Sequence, residues 1–158
     1  MAGHCGSCTA CCRVFAIPEF KKPAGKWCTH CAIGVGCKVY AERPMMCIEY
    51  QCMWLQSQER IANPASRLGP ELRPDRCKVV FSPTTNPNII AAITMPGMEN
   101  AYRSGAAAAL IKRLVADGVM VAVGPPAARH QTLVSKAGER TVSMTEPDAN
   151  GMQWSIKS

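Results

Sequence analysis

The sequence predicts an α+β chain: a small, cysteine-rich, metal-bound N-terminal module followed by an α+β half of about five short strands and one main helix. Three observations carry this. Nine of the ten cysteines lie at or before Cys52. Beyond residue 76, short β-rich runs alternate with turn residues, and one stretch in that half places apolar residues at helical spacing. With 158 residues and 47% apolar content, the chain can bury one sizeable core, as one domain or two small ones. The divisions fall at residues 1–60 for the cysteine-rich module, 61–75 for a connector and 76–158 for the α+β region.

The module opens with HCGSCTACC at residues 4–12, and its full spacing is C-x2-C-x2-C-C-x15-C-x2-C-x5-C-x9-C-x4-C. Disulfide bracing, a metal site and a redox dithiol are the three physical reasons to crowd thiols in this way. The N-terminus has neither a basic n-region nor an apolar h-region, and no stretch approaches about 18 uninterrupted apolar residues, so a cytoplasmic chain with no membrane partner is expected. Cytoplasmic thiols stay reduced, which favours metal ligation over disulfides. Buried, inert cysteines are the plainer alternative. A redox pair at Cys28 and Cys31 lacks the following helix and βαβ context of a thioredoxin-like site.

A C-x2-C pair suits a metal because a tight turn aims two thiolates at one ion while other segments complete a zinc site or an iron–sulfur cluster. Cys11 and Cys12 are adjacent, and adjacent side chains diverge, so at least one is expected to serve a second centre. Cys5, Cys8, Cys11, Cys12, Cys28, Cys31, Cys37, Cys47 and Cys52 are the ligand candidates, enough for about two metal centres or for one centre plus reactive thiols. His4 and His30, beside cysteines, are weaker candidates. His130, alone in a strand-like run, is weaker still, and Cys77 reads as a strand residue.

The second anchor is GCKVYAERPMMCIEYQCMW at residues 36–54. Pro44 can occupy the first turn of a helix, where its missing donor costs little, and the following residues are helix-compatible. On one regular helix Cys47 and Cys52 would lie about 140° apart, so one would be a ligand and the other core. Arg43 can donate to metal-bound sulfur or to a backbone carbonyl.

CGSCTACC, WCTHC and GCKVYAERPMMCIEYQC together resemble the CxxCxxCC cysteine-cluster family, the YkgJ-type zinc- or iron-chelating proteins. Cys37, Tyr40, Arg43, Pro44, Cys47 and Tyr50 match the family pattern in order, and the resemblance covers residues 5–54. It implies a metal and no particular reaction. By resemblance Cys5, Cys8, Cys11, Cys12, Cys28, Cys37 and Cys47 are ligands, with the eighth position open between Cys31 and Cys52. Ile48 stands where the family often has arginine. A similar cluster occurs in flagellin lysine methylases, but this chain is short and has no cofactor-binding glycine motif, so that activity is not carried over.

The connector NPASRLGPELRPDR, with three prolines and a glycine, excludes a long helix or a central strand. CKVVFS and NIIAAITM then read as a hairpin around PTTNP. Residues 98–118 carry Ala107, Leu110, Ile111, Leu114 and Val115 on one helical face, with Gly118 as the stop. VMVAVG, HQTLVSK and RTVSMT are three further strands, separated by Pro125–Pro126 and Ala137–Gly138.

The formal charge of +7 divides into +3 for residues 1–60 and +4 for the remainder. Eight thiolates around two dications would leave about +3, which disfavours nucleic acid as a partner. The leading reading is a metal-binding protein, with zinc or an iron–sulfur cluster held by thiolates and the C-terminal α+β half acting as a docking element for a protein partner or as a regulatory element. A metal- or cluster-dependent enzyme is the alternative, with Glu49 and Tyr50 as the acid–base candidates near Cys47. A zinc-stabilised interaction module for nucleic acid or protein is a third. Spacing leaves zinc and iron open, since both take thiolates.

Overall fold

A computed structural model describes residues 6–59, 64–144 and 156. Along the chain, α1 (Cys11–Val14) leads through a long loop to a two-stranded ribbon, β1 (Cys31–Ala32) and β2 (Gly36–Cys37). Two short helices follow, α2 (Met45–Glu49) and α3 (Met53–Gln58), and then α4 (Pro74–Cys77). The larger sheet is built from β3 (Val79–Pro83), β4 (Ile89–Thr94), β5 (Met120–Gly124), β6 (His130–Ser135) and β7 (Gly138–Ser143) in that spatial order. Its strands are antiparallel except β4 and β5, which run parallel and are connected through α5 (Gly105–Ala116). The fold is therefore α+β, with five strands and one main helix in the C-terminal half as the sequence predicts.

The expected hairpin forms, with Val80 opposite Ile93 and Ser82 opposite Ala91. Its turn is set by polar side chains: the Thr84 hydroxyl donates to the Ile89 carbonyl (2.8 Å), and Asn86 Oδ1 accepts from Asn88 N–H (2.9 Å). Strand alternation gives the sheet two apolar faces. On one face Val79, Phe81, Ala92, Val121 and Val123 pack against Ala107, Leu110 and Ile111 of α5, the i, i+3, i+4 stripe expected of an amphipathic helix. On the other, Ala122, Leu133 and Val142 pack together near Met144.

Four local expectations differ from the structure. The helix expected over residues 98–118 begins only at Gly105: Ala101–Arg103 form a single 3-10 turn, Ser104 is extended, and Gly105 takes φ +62°, open to glycine at little cost. Pro44 stands just before its helix, not in its first turn, with extended backbone (φ −53°, ψ 151°). The continuous helix after Pro44 is broken, because Tyr50 and Cys52 are extended and α3 starts afresh at Met53. Phe15 meets the Tyr50 ring edge-on at 4.6 Å, and the Cys52 sulfur caps α3 by accepting from Leu55 N–H (3.5 Å), so tertiary packing overrides helix propensity here. Cys77 ends α4 and is not in a strand: Pro74 starts a helical turn and Lys78 closes it at φ 63°.

Apolar contacts run across residue 60. Val80 and Met95 of the sheet region join a cluster with Val14, Phe15, Ile17, Met46 and Leu55, while Met53 and Trp54 of α3 pack against the cluster under α5. The connector is pinned to α3 by polar contacts. Trp54 Nε1 donates to the Gly69 carbonyl (3.0 Å), Ser57 Oγ accepts from Leu68 N–H (3.0 Å), and Gln58 Nε2 donates to the Leu68 carbonyl (2.9 Å). Among the described residues no helix is long and apolar enough to cross a membrane.

Candidate metal centre

Four separate segments deliver cysteines to one place. The first is the turn into α1, where Cys12 N–H donates to the Thr9 carbonyl (3.0 Å). The loop after α1 is tied down by reciprocal backbone bonds between Ile17 and Lys22 (2.9 and 3.1 Å) and by Arg13, whose guanidinium lies 5.4 Å from the Trp27 ring. That loop returns Cys28 to α1, and Cys28 N–H donates to the Cys12 carbonyl (3.0 Å). Cys31 N–H then donates to the Cys28 carbonyl (3.1 Å), which is the tight turn a C-x2-C pair needs.

The third segment is the ribbon, which pairs Cys31 with Cys37 across its two strands. Its turn uses Gly34 at φ +75°, and Gly34 N–H donates to Thr9 Oγ1 (3.1 Å), fastening the ribbon to the N-terminal cysteine loop. The fourth is α2, which supplies Cys47. Arg43 stacks 3.7 Å over the Tyr40 ring and donates to the carbonyls of Tyr40 (2.9 Å) and Cys47 (3.5 Å), so of its two expected roles it takes the backbone one.

Cys8, Cys11, Cys12, Cys37 and Cys47 line one cavity of about 440 Å³, together with Phe15, Met46 and Tyr50. Cys12 is hydrogen-bonded to both Cys11 and Cys31. Buried Cys28 lies close enough to raise the thiols of Cys31 and Cys47 through its charge. Cys52 is turned to its capping role, and Cys77 bonds to the carbonyls of Leu72 and Val79 (3.6 and 3.2 Å) beside the α5 cluster. Cys5 and His4 lie outside the described residues. His30 stacks on Phe20 at 4.5 Å, and His130 is exposed beside Ser143. Tyr50 lines the cavity, whereas Glu49 is exposed. None of the nine described cysteines is in a disulfide.

Electrostatics separates these thiols sharply. Cys12 is lowered to about 6, chiefly by the hydrogen bond from Cys11, with help from Cys31 and the Lys22 ammonium. Burial first, and then the charge on Cys12, push Cys31 up to about 12. Cys47 rises to about 11 for the same two reasons. One thiolate thus forms readily, and its charge in a low-dielectric site holds its neighbours protonated. A dication placed among them reverses that balance, since it favours every thiolate at once.

Sequence reasoning missed Lys22, which is buried, with an ammonium that donates to the carbonyls of Arg13 (2.9 Å) and Phe15. Burial lowers its pKa, while the charges of Cys28, Cys12, Cys11 and Cys47 raise it. A buried cation facing four cysteines is the countercharge that a thiolate centre requires. Nothing local marks this lysine among its neighbours in the sequence; the carbonyls that hold it come from α1 and the residue after it.

The donor set therefore fits a soft, thiolate-binding metal in chemistry and charge. As the side chains stand, no group of three or more His, Cys, Asp or Glu among the described residues is arranged to hold an ion. The chain matches no protein-family model, no curated protein and no solved structure.

Proposed function

We propose that this chain is a metal-binding protein whose cysteine cluster holds zinc or an iron–sulfur centre through thiolates. The observation that carries this reading is the contact of Cys12 with both Cys11 and Cys31, beside Cys28, Cys37 and Cys47 brought in from other segments. Reduced thiols gathered from segments far apart in sequence, around a buried ammonium, suit a metal better than inert packing. The resemblance of residues 5–54 to the CxxCxxCC proteins supports the same reading. Cys8, Cys11, Cys12, Cys28, Cys31, Cys37 and Cys47 are the ligands available among the described residues, with Cys5 a further candidate, enough for about two centres.

When bound, the metal would act as a structural crosslink or as an electron-transfer centre. The protein's own residues do the rest. Thr9 and Gly34 hold the ribbon over the cluster, the Cys12 carbonyl fixes Cys28, and Lys22 balances the negative charge. Titrating the reduced, metal-free chain with cobalt(II) tests this: intense sulfur-to-cobalt charge-transfer absorption with release of several protons per ion is expected. Absorption typical of oxygen and nitrogen ligands alone, with no proton release, would overturn it.

A further inference from the structure

On the sheet face away from α5 lies a second cavity, of about 240 Å³, that the thiol cluster does not use. Its floor is Ala91 of β4 and Ala122 of β5, paired side by side, with Ile93 and Gln131 flanking them. Val14 and Phe15 of the cysteine module form the opposite wall, and Met144 and Ile156 lie at one end. Elsewhere the two central strands carry mostly valine and isoleucine, so two adjacent alanines on this face leave a void where branched side chains would fill it. Ala91, Ile93 and Gln131 stay only half-buried in consequence, although they sit in inner strands.

The polar lining of the cavity is uncharged: Gln131 from β6, and Thr84, Thr85 and Asn86 from the turn between β3 and β4. Among the described residues no Lys, Arg, His, Asp or Glu lines it, so none of them offers a charged group entering it an opposite charge. Gln131 supplies a carboxamide that has no hydrogen-bond partner among the described residues. A Cβ at Gly124 would lie 2.8 Å from Gln131 Cγ, so the absence of a side chain there lets Gln131 lie close against β5. A carboxamide offers one donor edge and one acceptor, which an amide or lactam group satisfies together. A cavity of about 150 Å³ admits benzene, so this one admits a ring with a small substituent.

We propose that this cavity is a binding site for a neutral, mostly apolar small molecule of roughly ten heavy atoms bearing one amide or lactam edge, read by Gln131. Phe15 lines this cavity and also the one that holds the cysteines, so the two sites share a wall. The proposal does not depend on metal binding, and it can fail or stand separately from it.

The test uses the full reduced chain as purified, with benzamide as the probe, benzoate as its charged counterpart and benzene as its apolar one, followed by amide chemical-shift mapping. Benzamide is expected to bind with a Kd of about 1 mM, perturbing residues of β4, β5 and the 125–131 loop, with benzoate at least about tenfold weaker. Ala122→Leu fills the void and abolishes binding of benzamide and benzene alike. Gln131→Leu weakens benzamide about fivefold and leaves benzene unchanged. Should Ala122→Leu fail to fold, Ala91→Val takes its place. No saturable benzamide binding below about 10 mM overturns the site. So does equal binding of benzoate, or benzamide binding untouched by the filling and Gln131 variants.

Discussion

The backbone N–H of Cys28 donates to the carbonyl of Cys12 at 3.0 Å, joining the two segments that carry the C-x2-C pairs. This bond returns a loop of fifteen intervening residues to α1 and places Cys28 beside the same thiols that Cys12 contacts. The arrangement makes the reactivity of each cysteine a property of its neighbours.

Cys12 should be the first thiol to react in the metal-free chain. Alkylation by iodoacetamide, followed by peptide mapping, is expected to show Cys12 modified with a rate midpoint near pH 6, while Cys31 and Cys47 resist until far above pH 9. Bound metal should suppress all three. Uniform labelling at pH 7 would mean that the thiols do not sense one another.

The same shifts set a pH dependence for the stability of the metal-free chain. Cys12 is depressed below its ordinary value of 9.0, so its contribution is complete above that value and disappears as pH falls through about 6. Cys31 and Cys47 are raised, so theirs is complete below 9.0 and disappears as pH rises through about 11 to 12. Urea midpoints should therefore rise from pH 6 towards 9 and fall beyond it, and replacing Cys12 with Ser should remove the acid-side slope and also shrink the alkaline fall, since the Cys12 charge helps to raise Cys31 and Cys47.

Lys22→Met should cost about 2 kcal/mol in the metal-free chain, because the carbonyls of Arg13 and Phe15 lose a charged donor. It should also move the Cys12 alkylation midpoint upward, since the ammonium helps to lower it. A Lys22→Met chain with unchanged midpoint and stability would remove Lys22 from the cluster's electrostatics.

Thr94 is fully buried in β4, and among the described residues its hydroxyl has no hydrogen-bond partner. Thr94→Val keeps the shape and removes the unpaired group, so it should stabilise the chain by about 1 kcal/mol in urea unfolding. A loss of stability would show that the hydroxyl is satisfied in solution.

How far the sequence foretells this molecule depends on where the deciding contacts lie. The strands and α5 were legible because their signals are local: short runs rich in valine and isoleucine, turn residues at 83–87, and the Ala107, Leu110, Ile111 stripe. The break at Tyr50 was not, since it answers to the ring of Phe15, thirty-five positions earlier. For the cluster, the family resemblance left the eighth ligand open between Cys31 and Cys52. The structure turns Cys31 towards Cys12 and gives the Cys52 sulfur to the N-terminus of α3, a cap position usually held by Ser, Thr, Asp or Asn. Lys22 was invisible because its role arises only where the folded loop buries it.

The most direct test of the account is the metal content of the chain purified without oxygen, read together with its absorption spectrum. About two zinc ions per chain, or about four irons in one cluster with or without a zinc, is the predicted result, falling when Cys12 or Cys31 is replaced by Ser and unchanged for Cys77→Ser. Less than about a tenth of an equivalent of any metal, in folded protein with free thiols, would contradict it.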